Sequence, residues 1–179
     1  MESFRKLKLS ENLLRAIQDS KFKEPTEIQE KTIPLVIDGK DVLGSSATGS
    51  GKTLAFGVGI IQNAKKGEGV QALVLTPTRE LADQVSRNLR FFSKYYNLHV
   101  AEVYGGVGFE PQVREISRSE IIVGTPGRIL DHLSRRTLDL DGVRFLVLDE
   151  ADRMFDMGFI HDVEKIIKNC PKDRQTLLF

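Results

Sequence analysis

The sequence predicts an α/β protein built on a doubly wound parallel β-sheet. Short runs rich in Val, Leu and Ile alternate with longer segments of helical periodicity along the 179 residues, and this alternation is typical of the class. Several of the short runs are apolar at nearly every position, such as Ala72-Leu73-Val74-Leu75 and Phe145-Leu146-Val147-Leu148. Strands that are buried on both faces of a parallel sheet have this composition. Because ligands of such sheets bind beyond the carboxyl ends of the strands, we expect the motifs that carry chemistry to follow strands.

Two helices are expected before the first strand. Ser10 can cap a helix that extends through Asp19, since a hydroxyl at this position accepts a free backbone N–H. Thr26 and Gln29 form a Thr-x-x-Gln capping box at the start of the second helix. Pro34 is expected to kink or shorten that second helix, because proline lacks a backbone donor and its ring crowds the preceding turn.

Strands and helices are then expected to alternate to the end of the chain. The predicted strands are residues 41–45, 71–76, 99–104, 120–124, 144–149 and 175–179. The predicted helices are residues 51–64, 79–95, 111–117, 127–135 and 160–168.

Composition and charge exclude several classes of function. The chain has 26 Lys and Arg against 25 Asp and Glu, so it is not a histone-like basic binder, although a local basic groove is compatible with this balance. Cys170 is the single cysteine, which rules out a disulfide framework and argues against a cysteine zinc site. No apolar run approaches the length of a membrane span, and the first residues lack the apolar segment of a secretory signal. We therefore expect a cytoplasmic location, or a nuclear one in a eukaryote.

A glycine-containing loop follows the first predicted strand. Its sequence is Ser46-Ala47-Thr48-Gly49-Ser50-Gly51-Lys52-Thr53, close to the phosphate-binding pattern G-x-x-x-x-G-K-[ST] with Ser46 in place of the first glycine. The loop backbone and the start of the next helix would bind phosphates. Lys52 would reach the β- and γ-phosphates, and the Thr53 hydroxyl would bind Mg²⁺. A dinucleotide-binding fingerprint fits less well, because Leu54 stands where its third small residue belongs.

An acidic motif follows the fifth predicted strand, with the sequence Asp149-Glu150-Ala151-Asp152. Asp149 would hold Mg²⁺, and Glu150 would orient and deprotonate the attacking water. On their own, these residues could simply cap a following helix. Their occurrence together with a phosphate loop favours nucleotide hydrolysis, with Lys52, Asp149 and Glu150 as the catalytic residues.

The acidic motif is also the signature of the DEAD-box RNA helicases, and the chain resembles the N-terminal RecA-like domain of that family over nearly its whole length. The other matching segments, in order, are residues 22–29 (Q motif), the phosphate loop, residues 77–82 (motif Ia), Gly105-Gly106 (glycine doublet) and residues 125–128 (motif Ib). Lys21 replaces the usual leading glycine of the Q motif, and Phe4 matches an upstream aromatic position. The resemblance implies a RecA-like P-loop NTPase fold and an ATP-dependent RNA helicase that uses ATP and Mg²⁺.

The resemblance also implies roles for individual residues. Gln29 would bind adenine through its amide in addition to its capping role, and Phe4 or Phe22 would pack near the base. Asp152 would couple this domain to a second one. RNA would be bound through its backbone, without sequence readout, by Pro77, Thr78, Arg79, Gly105, Gly106, Thr125, Pro126, Gly127 and Arg128. The same segments are also compatible with ordinary helix starts and a turn, since Thr125-Pro126 suits an N-cap followed by proline.

Residues 1–179 are interpreted as one N-terminal domain, with the Q motif region at residues 4–29 leading into it. The family pattern continues beyond this point with a Ser-Ala-Thr motif and a second RecA-like domain. We therefore expect a monomer whose isolated 179 residues are nearly inactive. The alternatives are another P-loop NTPase or a non-catalytic module that binds adenine nucleotide or RNA. A GTPase would carry a guanine-reading Asn/Thr-Lys-x-Asp motif, which is absent, and intact Lys52, Asp149 and Glu150 argue against a non-catalytic module.

Overall fold

Six parallel strands and the helices between them form the protein, as described for residues 2–45, 47 and 49–179 in a computed structural model. The strands are β1 (Val42–Leu43), β2 (Ala72–Leu75), β3 (Val100–Val103), β4 (Ile121–Gly124), β5 (Phe145–Leu148) and β6 (Gln175–Leu178). The helices are α1 (Glu2–Arg5), α2 (Glu11–Asp19), α3 (Glu27–Ile37), α4 (Lys52–Asn63), α5 (Arg79–Phe92), α6 (Phe109–Ile116), α7 (Pro126–Ser134), α8 (Ala151–Asp156) and α9 (Ile160–Lys168).

The strand order is β1-β6-β5-β2-β4-β3, and all neighbours are parallel. From β2 the chain moves outward on one side to β3 and returns through β4. It then moves to the other side of β2 through β5 and β6. This reversal creates a crevice at the carboxyl ends of the central strands, where ligands of such sheets bind. The predicted doubly wound parallel sheet is therefore confirmed.

Two hydrophobic clusters cover the two faces of the sheet. Alternate residues of β2 point to opposite clusters, Ala72 and Val74 to one and Leu73 and Leu75 to the other. Helices α2, α3, α4 and α5 contribute to the first cluster, and α6, α7 and α9 to the second. Burial on both faces explains why the central strands are apolar at every position. In the described part of the chain, no helix is long and apolar enough to span a membrane.

The helices differ from the expected pattern in several respects. Helix α5 ends at Phe92, three residues before the expected end at residue 95. The short α1 and α8 were not predicted, since each is too brief to show helical periodicity. Helix α6 starts at Phe109, two residues before the expected start at Pro111. Pro34 does not shorten α3, which continues to Ile37. The buried residues Ile33 and Val36 flank Pro34, and their packing against the core offsets the loss of one backbone hydrogen bond.

Candidate functional site

The carboxyl ends of the central strands bring the predicted motifs to one edge of the sheet. Leu75 of β2 is paired with Leu148 of β5 and with Gly124 of β4. The residues that follow these positions therefore leave the sheet side by side. They begin motif Ia, the acidic motif and motif Ib, which lie far apart in the sequence.

The phosphate loop ends at the N-terminus of α4, where Gly51 is the N-cap with φ of 89° and Gly49 has φ of 82°. Only glycine adopts this left-handed conformation at little cost. A Cβ atom on Gly51 would also collide with the side-chain nitrogen of Gln29. The first N–H groups of a helix have no acceptor within the helix, and together with the partial positive charge at this end they favour an anion. Ser46 and Thr48 lie outside the described residues, so their predicted contacts with nucleotide stay predictions.

The Q motif region holds the phosphate loop from one side. Thr26 Oγ1 donates a hydrogen bond to the carbonyl oxygen of Ser50 at 2.7 Å, and Gln29 Nε2 donates to that of Gly51 at 3.1 Å. Gln29 Oε1 accepts from the backbone N–H of Thr26 at 3.0 Å, and the predicted capping box is present. The buried Gln29 amide thus links the start of α3 to the loop that starts α4.

The two aromatic residues proposed to pack near the base lie in different environments. Phe22 is 42% exposed and lines a cleft together with Lys52, Thr53 and Asp149. Its ring centroid lies 6.1 Å from that of Phe92. Phe4 is fully buried in the hydrophobic core. The structure therefore brings Phe22 to the cleft and does not bring Phe4 there.

Asp149 is only 3% exposed, and its Oδ1 atom has no hydrogen-bond partner among the described residues. Burial raises the pKa of Asp149 to about 6, an effect that the Lys52 ammonium opposes and the Glu150 carboxylate reinforces. An unpaired buried carboxylate oxygen beside the phosphate loop is suited to a cation, because it then regains the interactions that burial removed. Together with the Thr53 hydroxyl, it provides the hard oxygen ligands that Mg²⁺ prefers.

No group of three or more His, Cys, Asp or Glu side chains that could hold a metal ion occurs within residues 2–45, 47 and 49–179. Mg²⁺ in nucleotide sites needs only one or two protein ligands, since phosphates and water complete its shell. The donor set at Asp149 and Thr53 therefore fits Mg²⁺ that is held jointly with a nucleotide.

Glu150 borders the cleft that contains Phe22 and also a second cleft beside Ala47. Its φ of 54° lies in the left-handed region, which is strained for a residue with a side chain and is often found at functional sites. Arg153 Nη1 lies 3.2 Å from Glu150 Oε2. This ion pair was not anticipated, although the i, i+3 spacing on α8 is a signal for it. Asp152 is exposed on the same helix.

Motif Ia and the glycine doublet meet at the carboxyl ends of β2 and β3. Pro77 is buried, and Thr78 caps α5 by accepting the Leu81 N–H at 3.3 Å. The Arg79 guanidinium lies over the ring of Tyr104, with its carbon 4.9 Å from the ring centroid. Tyr104 directly precedes Gly105 and Gly106, which are both exposed. Arg79 and the glycine doublet therefore form one surface.

Motif Ib lies on the other side of that doublet. Thr125 is the N-cap of α7 and Pro126 its first residue, as the capping interpretation predicted, and Gly127 is exposed. The Arg128 side chain is only 15% exposed. Its Nη1 atom donates to the carbonyl oxygen of Val107 at 3.2 Å. Arg128 therefore contacts the residue that follows the glycine doublet instead of extending into solvent.

Comparison with known proteins identifies the family of this chain. The model of the DEAD/DEAH box helicase family matches residues 26–179. The chain belongs to the DEAD/DEAH box helicase family.

Relatives of this helicase family cover nearly the whole chain. It is 47% identical to the probable ATP-dependent RNA helicase of Methanocaldococcus jannaschii, over 99% of this chain and 48% of that protein. It is 51% identical to the ATP-dependent RNA helicase CshA of Listeria monocytogenes, over 100% of this chain and 35% of that protein. The crystal structure of a DEAD box protein from the hyperthermophile Methanococcus jannaschii has a TM-score of 0.95 at 47% identity, covering 99% of this chain and 49% of that one. The chain thus spans about half the length of these relatives, or less.

One wall of the cleft in this DEAD-box domain was not predicted from the sequence. That wall is a face of α5, and its cleft-lining residues are Leu81, Gln84, Asn88 and Phe92. Their spacing of three or four residues marks one side of a helix. The signal was present in the sequence, but only the packing of α5 against α4 shows that this side faces the phosphate loop.

Proposed function

We propose that this chain binds ATP and Mg²⁺ and supplies one half of an ATP-dependent RNA helicase. ATP binding and hydrolysis would drive the unwinding of RNA duplexes or the remodelling of RNA–protein complexes. One observation carries the nucleotide site: Asp149, whose buried Oδ1 atom has no hydrogen-bond partner among the described residues, lines the same cleft as Lys52 and Thr53. The names of the relatives, which are ATP-dependent RNA helicases, support the same activity.

The residues at the sheet edge divide the chemistry between them. Lys52 and the N–H groups at the start of α4 bind the phosphates. Thr53 and Asp149 would hold Mg²⁺, which when bound neutralises charge on the phosphate oxygens. Glu150 orients the attacking water and accepts its proton. These assignments follow from side-chain chemistry and from the cleft that the four residues share.

The base and the RNA would bind on either side of this centre. Gln29 reads the adenine edge and Phe22 packs near the base. Arg79 and the doublet of Gly105 and Gly106 contact the RNA backbone without sequence readout. Asp152 contacts a second RecA-like domain of the same protein. The protein acts as a monomer in the cytoplasm, or in the nucleus of a eukaryote.

Replacing Lys52 with alanine tests the nucleotide site. We expect ATP–Mg²⁺ to bind at least about tenfold more weakly, because a charge-assisted contact to the phosphates is lost. Calorimetric titration of the 179-residue chain measures this directly. Lys65→Ala is the matched control, since the Lys65 side chain is exposed and forms an ion pair with Glu68. Equal affinity in wild type and Lys52→Ala would contradict the proposed site.

Replacing Gln29 with alanine tests the adenine assignment. We expect the preference for ATP over GTP to narrow by at least about tenfold, because a buried hydrogen-bonding site discriminates strongly between bases. Gln29 also holds the loop through Gly51, so a control must separate the two roles. Thr26→Ala removes the hydrogen bond to the loop and the Thr26 side chain's part of the capping box, but leaves the Gln29 amide in place. It should therefore weaken the binding of ATP and GTP equally. Equal binding of ATP and GTP to the wild type would refute the adenine assignment and leave Gln29 a capping residue alone.

A further inference from the structure

A buried polar network lies behind the glycine doublet, and no role has been assigned to its centre. That centre is Gln112 on α6, which is 5% exposed. Gln112 Nε2 donates to the carbonyl oxygen of Tyr104 at 2.8 Å. Gln112 Oε1 lies 3.2 Å from Arg128 Nη1 and 3.0 Å from His132 Nε2. One side chain therefore joins the end of β3 to two residues of α7.

The chemistry of the partners fixes the orientation of the Gln112 amide. Arg128 can only donate hydrogen bonds and the Tyr104 carbonyl can only accept them. The amide oxygen must therefore face Arg128, and the amide nitrogen must face Tyr104. The two lone pairs of that oxygen suffice for both Arg128 and His132.

His132 completes the network as a neutral imidazole. Burial, reinforced by Arg128, lowers the pKa of His132 to about 4. Because Gln112 Oε1 only accepts, His132 Nε2 carries the proton, and His132 Nδ1 accepts from the Thr137 hydroxyl at 2.8 Å. The ring also stacks on Phe109, with centroids 4.1 Å apart. The His132 ring is thus held by contacts with Gln112, Thr137 and Phe109.

The network forms hydrogen bonds with the residues on both sides of the glycine doublet. Gln112 holds the Tyr104 carbonyl just before the doublet, and Arg128 holds the Val107 carbonyl just after it. Gly105 and Gly106 have no side chains, and a Cβ atom on Gly105 would have no atom within 4 Å. Arg79 Nη1 would lie 3.5 Å from a Cβ atom on Gly106, and the two hydrogen-bonded carbonyls hold the ends of the doublet. Gln112 contacts the Tyr104 carbonyl directly and the Val107 carbonyl through Arg128, so the positions of both carbonyls depend on Gln112.

We propose that Gln112 is a positioning residue for RNA binding, which holds the glycine doublet and Arg128 in the geometry that receives the RNA backbone. This inference rests on the proposed RNA-binding function. Gln112 is itself buried and does not contact RNA. Its effect reaches the RNA surface through the Tyr104 carbonyl and the Arg128 guanidinium.

Gln112→Met tests the proposal, because methionine has a similar length and offers neither the donor nor the acceptor. The 179-residue chain is titrated with a short fluorescein-labelled poly(U) strand at low salt, and ATP–Mg²⁺ affinity is measured in parallel. We expect poly(U) affinity to fall about tenfold, as for the loss of one well-placed hydrogen bond. ATP–Mg²⁺ affinity should change less than about twofold. The matched control is Gln18→Met, at an exposed glutamine of α2, which should change neither.

A double-mutant cycle distinguishes positioning from general damage. If Gln112 acts through Arg128, then adding Arg128→Ala to Gln112→Met should cost less than Arg128→Ala costs in the wild type. Nitrogen NMR of His132 supplies an independent readout: the wild type should show a neutral ring protonated at Nε2, and Gln112→Met should lose this tautomer preference. If Gln112→Met does not fold, Gln112→Glu replaces it. That variant keeps an acceptor for Arg128, replaces the donor to Tyr104 with an oxygen that repels the carbonyl, and adds a negative charge. Poly(U) affinity should therefore still fall.

The outcomes separate this inference from the proposed function. Absence of poly(U) binding by the wild type would overturn the proposed RNA-binding function and the inference with it. If the wild type binds poly(U) and both Gln112→Met and Gln112→Glu bind it with the same affinity, the inference about Gln112 is wrong. The proposed RNA-binding function would still stand. A parallel loss of ATP–Mg²⁺ affinity would show a general structural role and would also overturn the inference about Gln112.

Discussion

Replacing Glu150 with glutamine is expected to leave ATP–Mg²⁺ binding intact and to lower ATP turnover of the full-length protein by about 10²–10⁴-fold. Glutamine has the same shape as glutamate but cannot accept the proton of the attacking water. Glu150 lies where such a base is needed, at the border of two clefts beside the phosphate loop. Its strained backbone, with φ of 54°, is retained because the substitution leaves the backbone atoms unchanged. Steady-state ATPase assays with RNA, paired with calorimetric titration, measure the two quantities separately.

The matched control for Glu150 is Glu164→Gln, an exposed glutamate on α9 that should behave as wild type. Loss of the ion pair between Glu150 and Arg153 has little effect on stability, because Arg153 is largely exposed. A Glu150→Gln protein that turns over ATP at the wild-type rate would remove Glu150 from the catalytic residues. A variant that no longer binds ATP–Mg²⁺ would instead assign Glu150 to binding.

The 179 residues alone are expected to turn over ATP near the background rate, with or without RNA. In P-loop enzymes, an arginine supplied from outside the nucleotide's own domain stabilises the transition state and contributes ~10³–10⁵ in rate. We expect that arginine to come from the second RecA-like domain. Of the arginines in this domain's motifs, Arg79 lies at the glycine doublet and Arg128 behind it. Neither is among the residues that line the two clefts beside the phosphate loop.

ATP turnover of this chain is compared with that of the full-length protein under the same conditions, with single-stranded RNA. The comparison tests whether catalysis needs an arginine from a second domain. Robust RNA-stimulated turnover by the short chain would show that its own residues complete the catalytic centre. Arg153 would then be the candidate, because it lies beside Glu150. Arg153→Gln in the short chain would identify its contribution.

Much of the fold could be predicted because local signals and tertiary packing agree in the sheet. Continuous apolar runs marked the central strands β2, β4 and β5, since burial between two layers of helices leaves no position for a polar side chain. Each observed strand is shorter than the expected one, because the expected bounds included residues of the adjoining loops. The short α1 and α8 were missed, and Pro34 does not shorten α3 as one of the two expected effects required. In these segments, packing outweighs the local signal or the segment is too short to show one.

By itself, the sequence determined the chemical parts of this protein: a phosphate loop, an acidic pair after a strand, and the segments shared with the helicase family. Tertiary structure alone decided which of these parts touch. Gln29 meets Gly51 across 22 residues, and Gln112 meets Arg128 across 16. Such contacts depend on strand order and on how helices pack across the sheet, which no local periodicity encodes. Helix packing also buries Phe4 in the core and leaves Phe22 at the cleft, although both are aromatic residues in the same region of the sequence.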